Sequence, residues 1–457
     1  MNDLDATTSA RVDDTSTGTS GSGAGVATAA AQSVAPAQHG LFVRVTRRMV
    51  LSQMRALERG HLTIIEEGET LECGDLSAPE ELRAVIRVHD IETWMLVALR
   101  GSVGAAEAFM HGQWSTPDLV RVVRVMVANR KVLDGMEDSL ARFIMPLWKV
   151  AHWVHRNNRK GSRRNIAAHY DLGNDFFRLF LDETMMYSAG IFERPGASLH
   201  EAQVAKNDRI CRKLDLKPTD HLVEIGTGWG GFAIHAAKNY GCRITTTTIS
   251  QEQFDLAQAR VRAAGLESKI QIVKEDYRDL RGSFDKLVSI EMIEAVGHQY
   301  YPDYFGTVGR LLKPDGMALI QAITIADQVY EAALGNVDFI QKYIFPGSCI
   351  PSITAMMQAV STSSDLKLYH LEDITPHYAD TLKIWRENLL ARKADAQRMG
   401  LGEVFLRMWE YYFSYCEGGF RERAIGDVQM LLIKPLCRRD AIVPQLDALD
   451  RSNRVSF

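Results

Sequence analysis

The residues with the most chemical promise fall into five short blocks between positions 224 and 324. Glu224-Ile-Gly-Thr-Gly-Trp-Gly-Gly231 places four glycines within six positions, directly after the apolar run that begins at Leu222. Glycine adopts φ > 0 at little cost and has no Cβ, so such a turn lets a ligand lie against the backbone at a helix N-terminus. Thr248-Ile-Ser250 offers hydroxyls, and Glu275-Asp-Tyr277 offers carboxylates beside an aromatic face. Glu291-Met-Ile-Glu294 sets Glu294 among apolar Met292, Ile293 and Val296, where an unpaired carboxylate would be costly to bury and so calls for a purpose. Gln321–Thr324 adds an amide to the set.

The elements that must position these blocks alternate between strand and helix from Asp220 onward, the pattern of a parallel sheet. Strands are expected at Leu222–Ile225, Arg243–Thr248, Ile270–Lys274, Lys286–Ile290 and Met317–Thr324, the last after a turn at Lys313-Pro-Asp-Gly316. Lys367–Glu372 and Val428–Ile433 complete seven strands, and helices are expected over Gln251–Ala264 and Tyr301–Leu312. In such sheets a ligand lies beyond the carboxyl ends of the strands, and all five blocks sit there. A dinucleotide would ask for an acid at the end of the second strand, where this chain has Thr248. The Gly-x-Gly turn with Asp276 and Tyr277 suits S-adenosylmethionine better, the pair gripping the adenine amine and its face.

The chain has 457 residues, 46% apolar and 24% charged, enough for two or three domains with a large core. A net charge of −4 excludes a globally basic nucleic-acid binder, and no nucleic-acid partner is expected. The six cysteines are scattered without a Cys-x-x-Cys pair, which argues against zinc and disulfides and fits a reducing cytoplasm. Residues 1–40 are rich in Ser, Thr, Gly and Ala and read as a disordered tail. Residues 41–130 read as a small α+β domain. It has a hairpin at Leu62–Ile65 and Thr70–Cys73, strands at Ala84–Val88 and Trp94–Leu99, and a helix at Val103–Met110. Folding support or a homodimer contact are roles open to it. The connector 131–164 carries Trp148 and Trp153, then Arg156, Arg159, Lys160, Arg163 and Arg164. Tryptophans favour the headgroup level and a basic cluster favours an anionic membrane surface, so peripheral association with the inner membrane is expected. Residues 165–440 form the main domain, and 441–457 a C-terminal tail. The apolar insertion at 325–365, with Tyr343-Ile-Phe-Pro-Gly347, is expected to be a lid.

His169-Tyr-Asp-Leu-Gly-Asn-Asp-Phe-Phe177, Met186-Tyr-Ser188 and the glycine turn closely resemble the cyclopropane-fatty-acyl-phospholipid synthase family. So do Thr248-Ile-Ser-Gln-Glu-Gln253, Glu294-Ala-Val-Gly-His298, His377-Tyr-Ala-Asp-Thr-Leu382 and Cys416-Glu-Gly-Gly-Phe-Arg421. The resemblance implies an α/β fold: a seven-stranded Rossmann-like class I methyltransferase sheet with the smaller N-terminal domain attached. It implies methylation of a cis double bond in an unsaturated phospholipid acyl chain by S-adenosylmethionine. A bound bicarbonate then takes a proton from the new methyl, closing a cyclopropane. Carried over by position, Tyr170, Tyr187, Ser188, Gly226, Gly228, Thr248, Gln253, Tyr277 and Arg278 would contact the cofactor, beside Asp276. Glu294, Ile323 and Tyr378 would build the bicarbonate pocket.

Two positions depart from the family pattern. Ala189 stands where Tyr-Ser is commonly followed by Cys, and Gln321 stands where the family commonly has His. Bicarbonate held by backbone tolerates the loss of a thiol, but glutamine cannot titrate as histidine does. Relatives of the tuberculostearate type methylate the same alkene and leave a methylene or methyl branch, the alternative outcome for such a changed site.

Overall fold

The computed structural model describes residues 40–130 and 173–442. The expected tails, the basic connector and Tyr170 lie outside the described residues.

Helix α1 (Leu41–Met54) leads into the hairpin β1 (His61–Glu66) and β2 (Glu69–Gly74). Strand β3 (Arg83–Val88) pairs parallel to β1, and the short β4 (Trp114–Ser115) pairs antiparallel to β3. Trp94–Leu99 is not a strand: it opens helix α2 (Thr93–Met110), which carries a kink at Gly101, φ +53°. The reason is local. The Asp90 carboxylate takes the Glu92 N–H at 2.9 Å, which starts a helical turn, and Trp94 and Ala98, four residues apart, then bury one helical face. A run of apolar residues this short does not distinguish strand from helix by pattern. Helix α3 (Leu119–Ala128) starts where Asp118 accepts the Arg121 N–H.

The main sheet holds β5 (His221–Ile225), β6 (Arg243–Thr247), β7 (Ile270–Val273), β8 (Phe284–Ile290), β9 (Leu312–Ile325), β10 (Lys367–Asp373) and β11 (Ile425–Ile433). Its order is β10-β11-β9-β8-β5-β6-β7; β5 to β9 are parallel, and β11 alone is reversed, antiparallel to both β9 and β10. The turn expected at Lys313–Gly316 is absorbed into β9 as an irregularity. Leu312 faces Phe284 and Met317 faces Lys286, so the intervening residues leave the ladder. Around the sheet lie α4 (Leu199–Lys213), α5 (Gly231–Tyr240), α6 (Gln251–Ala263), α7 (Tyr301–Leu311), α8 (Asp327–Leu334), α9 (Ile353–Ser363), α10 (Thr375–Ala391) and α11 (Glu403–Arg421).

One apolar cluster runs from the N-terminal elements into the main domain, joining Trp94 and Phe109 to Phe176, Phe180, Trp385 and Trp409. Its joint is α3 against α11. A Cβ added at Gly418 would lie 2.5 Å from Val123 Cγ1, and Arg124 pairs with Glu422 at 2.6 Å. Gly418→Ala should therefore cost about 1–3 kcal/mol by overpacking, and Val123→Ala in the same chain should recover most of it. Denaturant melts of the double-mutant cycle test this; additive losses would remove the contact from the account.

Candidate active site

Strand β5 ends at Ile225 and the chain turns through Gly226 (φ +100°), Gly228 (φ +51°) and Gly230 (φ +82°). The Gly226 and Thr227 N–H groups both bond the Thr247 carbonyl, at 3.1 and 3.0 Å, which ties the turn to β6. Trp229 is buried within the turn and donates from its indole to Asn174 Oδ1 at 2.6 Å. Gly231 answers to packing, since a Cβ there would meet the Thr184 carbonyl at 2.5 Å. Gly228 differs: a Cβ there would meet nothing within 4 Å. It borders a cavity of about 1190 Å³ that is also lined by Tyr187, Ser188, Gly226, Thr248, Gln253, Asp276, Tyr277 and Arg278. The structure thus brings together every described residue expected at the cofactor.

Within this end of the cavity the polar groups are already oriented. Thr248 Oγ1 donates to Gln253 Oε1 at 2.8 Å, and Ser250 caps α6. The Arg278 guanidinium grips the Asp276 carboxylate from both nitrogens, at 2.8 and 2.6 Å. Tyr277 packs edge-on against Tyr304, and its buried hydroxyl has no partner among the described residues. An unpartnered hydroxyl, an open glycine turn and an acid form a donor and acceptor set that fits an adenosyl group.

Beside the glycine turn, Glu291 and Glu294 make the cavity lining acidic. Glu294 accepts the Ile323 N–H on Oε1 at 2.6 Å, and its buried Oε2 has no partner among the described residues. Loss of hydration, with the nearby Glu291 charge, pushes the Glu294 carboxyl up to about 8. Glu291, which the sequence reading left without a role, is the better-connected acid. It accepts the Ala189 N–H at 2.9 Å and the Gln321 amide at 2.8 Å on Oε1, and the Tyr378 hydroxyl at 2.7 Å on Oε2. The donors that the resemblance assigns to bicarbonate thus end on the chain's own carboxylates: Ala189, Gln321 and Tyr378 on Glu291, Ile323 on Glu294. A bicarbonate ion does not fit this arrangement.

Behind Glu291 the network continues out of the cavity. Gln321 also reaches Asp427 at 3.3 Å, while its carbonyl oxygen accepts from Gln429, whose own oxygen accepts from Lys213 at 2.7 Å. This relay fixes which face of the Gln321 amide points at Glu291. Burial, together with the charge of the neighbouring Glu291, raises the Asp427 carboxyl far above the usual range. Two buried carboxyls this close share one proton, and the three donors on Glu291 place the charge there. Lys206, fully buried and bonded to Ser188 Oγ at 3.0 Å, supplies the nearby cation. Burial lowers its ammonium to about 8, opposed by Glu291, Asp182, Asp427 and Glu224.

The sequence held faint signals for these groups. Lys206 lies on the Ala202, Gln203, Asn207 and Ile210 stripe that α4 buries. Asp427 and Gln429 alternate on one face of an otherwise apolar strand. None of the three could be assigned a partner before the sheet was assembled.

The comparisons with known proteins agree with this geometry. The family model for mycolic acid cyclopropane synthetase matches residues 157–430. The chain belongs to this family. It is 39% identical over 345 residues to the tuberculostearic acid methyltransferase UfaA1 of Mycobacterium tuberculosis, covering 74% of this chain and 80% of that protein. It is 36% identical over 352 residues to the cyclopropane-fatty-acyl-phospholipid synthase of Escherichia coli K12, covering 76% and 86%. Among solved structures, mycolic acid cyclopropane synthase CmaA1 complexed with SAH and CTAB superposes with a TM-score of 0.56 at 33% identity. That likeness covers 60% of this chain and 98% of CmaA1. This cyclopropane synthase family member is an S-adenosylmethionine-dependent methyltransferase with the class I fold.

Two expectations follow for the family member's site. Asparagine tolerates the left-handed backbone of Gly228, so Gly228→Asn isolates the side chain's intrusion on the cavity. Calorimetry should show S-adenosylmethionine binding at least about tenfold weaker with melting little changed; retained affinity would move the cofactor elsewhere. The second concerns pH. The Glu294 carboxyl titrates near 8 in the folded chain against its ordinary 4.5. Between those values only the unfolded chain has lost the proton, so stability falls as pH rises from about 4.5 to 8 and levels off above. Glu294→Gln should remove up to about 1.4 kcal/mol per pH unit of that slope. Urea melts at intervals across the window measure it, and an unchanged slope would contradict the assignment.

Proposed function

We propose that the enzyme methylates the cis double bond of an unsaturated phospholipid acyl chain and closes a cyclopropane ring. The observation that carries this reading is the cavity. It runs from the glycine turn past the Glu291 and Glu294 wall to Leu99, Val103 and Val127 of the N-terminal elements, under Ile340 and Phe345. Those last residues belong to the 325–365 insertion, which supports its reading as a lid over an acyl chain. The lid is fastened to α2: buried Glu107 accepts from Lys342, from Arg100 and from the Tyr343 hydroxyl, the last at 2.7 Å.

S-Adenosylmethionine, held at the glycine turn, supplies an electrophilic methyl group. The residues around the acyl chain do the rest. Apolar walls keep water from a carbon cation that would otherwise be hydrated, and the aromatic residues Tyr187, Tyr378, Tyr412 and Phe345 line the same cavity. Loss of a proton from the transferred methyl then closes the ring. A methylene branch is the second reading, supported by the 39% identity to a tuberculostearic acid methyltransferase. It requires a hydride to shift to the cationic carbon before the same methyl loses its proton.

Contact with an anionic membrane surface is part of the proposal. Among the described residues no helix is long and apolar enough to cross a membrane. Helix α1 instead exposes Leu41, Phe42 and Val45 beside Arg44 and Arg48, an apolar and basic face suited to a lipid headgroup layer. The basic cluster between Arg156 and Arg164 carries the same charge preference.

Mass cannot separate a ring from a methylene branch, because each adds one CH₂. Proton NMR of lipids from expressing cells can. Upfield ring-proton signals are expected. Vinylidene signals without ring signals would transfer the enzyme to the second reading, and unchanged lipids would refute both.

A further inference from the structure

We propose that the Glu291 carboxylate is itself the proton acceptor of the reaction, standing where the resemblance places a bicarbonate ion, so that turnover needs no exogenous anion. The inference rests on the reading above that a cation forms on the acyl chain. Three independent observations support it. First, the Ala189 N–H, the Gln321 amide and the Tyr378 hydroxyl, drawn from three separate elements, converge on this one carboxylate. Second, Glu291 lines the cavity, whereas Ala189, Gln321 and Asp427 are wholly buried. Third, Glu291 holds φ +47°, a left-handed conformation that a non-glycine residue keeps only when its surroundings enforce it. Its N–H is tied to the Gln321 carbonyl at 2.8 Å, which holds that backbone in place. A strained, half-buried carboxylate facing the cavity, held by two donors on Oε1 and only one on Oε2, has the form of a pre-organised base.

The two departures from the family pattern acquire a reason. With Ala189 in place of a thiol, the space beside its N–H accommodates a side-chain carboxylate. Gln321, its face fixed by Gln429, donates to an anion without being able to give it a proton.

The step balances. The alkene π pair forms the new carbon–carbon bond as the sulfonium–methyl bond breaks, leaving a thioether and a cation on the neighbouring carbon. A C–H bond of the new methyl then breaks, its electron pair closes the ring, and the proton passes to a Glu291 oxygen. Release of the product lets that proton exchange with water.

The test uses the full chain with S-adenosylhomocysteine or S-adenosylmethionine. Glu291→Gly suits it, because glycine adopts the positive φ without strain, which offsets part of the cost of the donors left free, and a thermal melt checks that the variant is folded. Titration with ¹³C-bicarbonate followed by NMR should show no saturable binding to the parent and binding to Glu291→Gly, whose donors are set free. On dioleoyl phosphatidylglycerol vesicles in carbonate-stripped buffer, the parent should keep its full rate. Glu291→Gly should lose about 100-fold or more, with unchanged cofactor affinity, and recover part of the loss on addition of bicarbonate. Saturable bicarbonate binding by the parent, a parental rate that collapses without bicarbonate, or an undiminished Glu291→Gly would each overturn the proposal. A parent that leaves the vesicles unmodified under every condition refutes the lipid reading instead, and the binding arm still decides the role of Glu291.

Discussion

An anion in an apolar cavity is costly, and much of the structure around β8 and β9 is arranged around meeting that cost at Glu291. Burial alone would protonate the carboxyl. Three donors from the Ala189 segment, β9 and α10 oppose this, and Lys206 places a buried cation in the neighbourhood. Asp427 takes the proton that two adjacent carboxyls cannot both lose. Removing one partner leaves the others with unmet polar groups, so the cluster behaves as a unit. The relay from Lys213 through Gln429 to Gln321 extends that unit across β9 and β11 to α4.

The same cavity wall depends on elements distant in sequence. Helix α2 contributes Leu99 and Val103 to the lining, and its Glu107 holds the 325–365 insertion by Lys342 and Tyr343. The N-terminal elements therefore share a core with the methyltransferase sheet and help to shape the space beside it. For the reaction proposed, which passes through a carbon cation, this matters chemically, because water admitted to the cavity would be a competing nucleophile.

Membership in the cyclopropane synthase family rests on the ordered motif blocks and on the sheet, and both survive the two departures at Ala189 and Gln321. Those substitutions read as losses when taken one at a time. Placed in the fold, they become the contacts of a third residue, Glu291, and the three residues form one site. A neutral amide is a suitable neighbour for a permanent carboxylate, since it donates to the charge and cannot neutralise it.

The sequence by itself determined the sheet, the glycine turn and the residues that gather beside that turn on one cavity. These depend on local rules: apolar strands of fixed length, turns that need glycine, and helices that begin at caps such as Ser250. It also named Glu294, Ile323 and Tyr378, which the structure places on one cavity. Tertiary structure alone decided whether the six residues Trp94–Leu99 formed strand or helix, because an apolar run that short satisfies either period until its neighbours choose. It alone decided the acid cluster as well. Glu291 follows β8, while Lys206 and Asp427 lie on α4 and β11, separated by scores of residues, and each reads by itself as a charge that belongs at the surface. A buried charge is tolerable only through the partners that face it, and which groups face each other is a property of the assembled sheet.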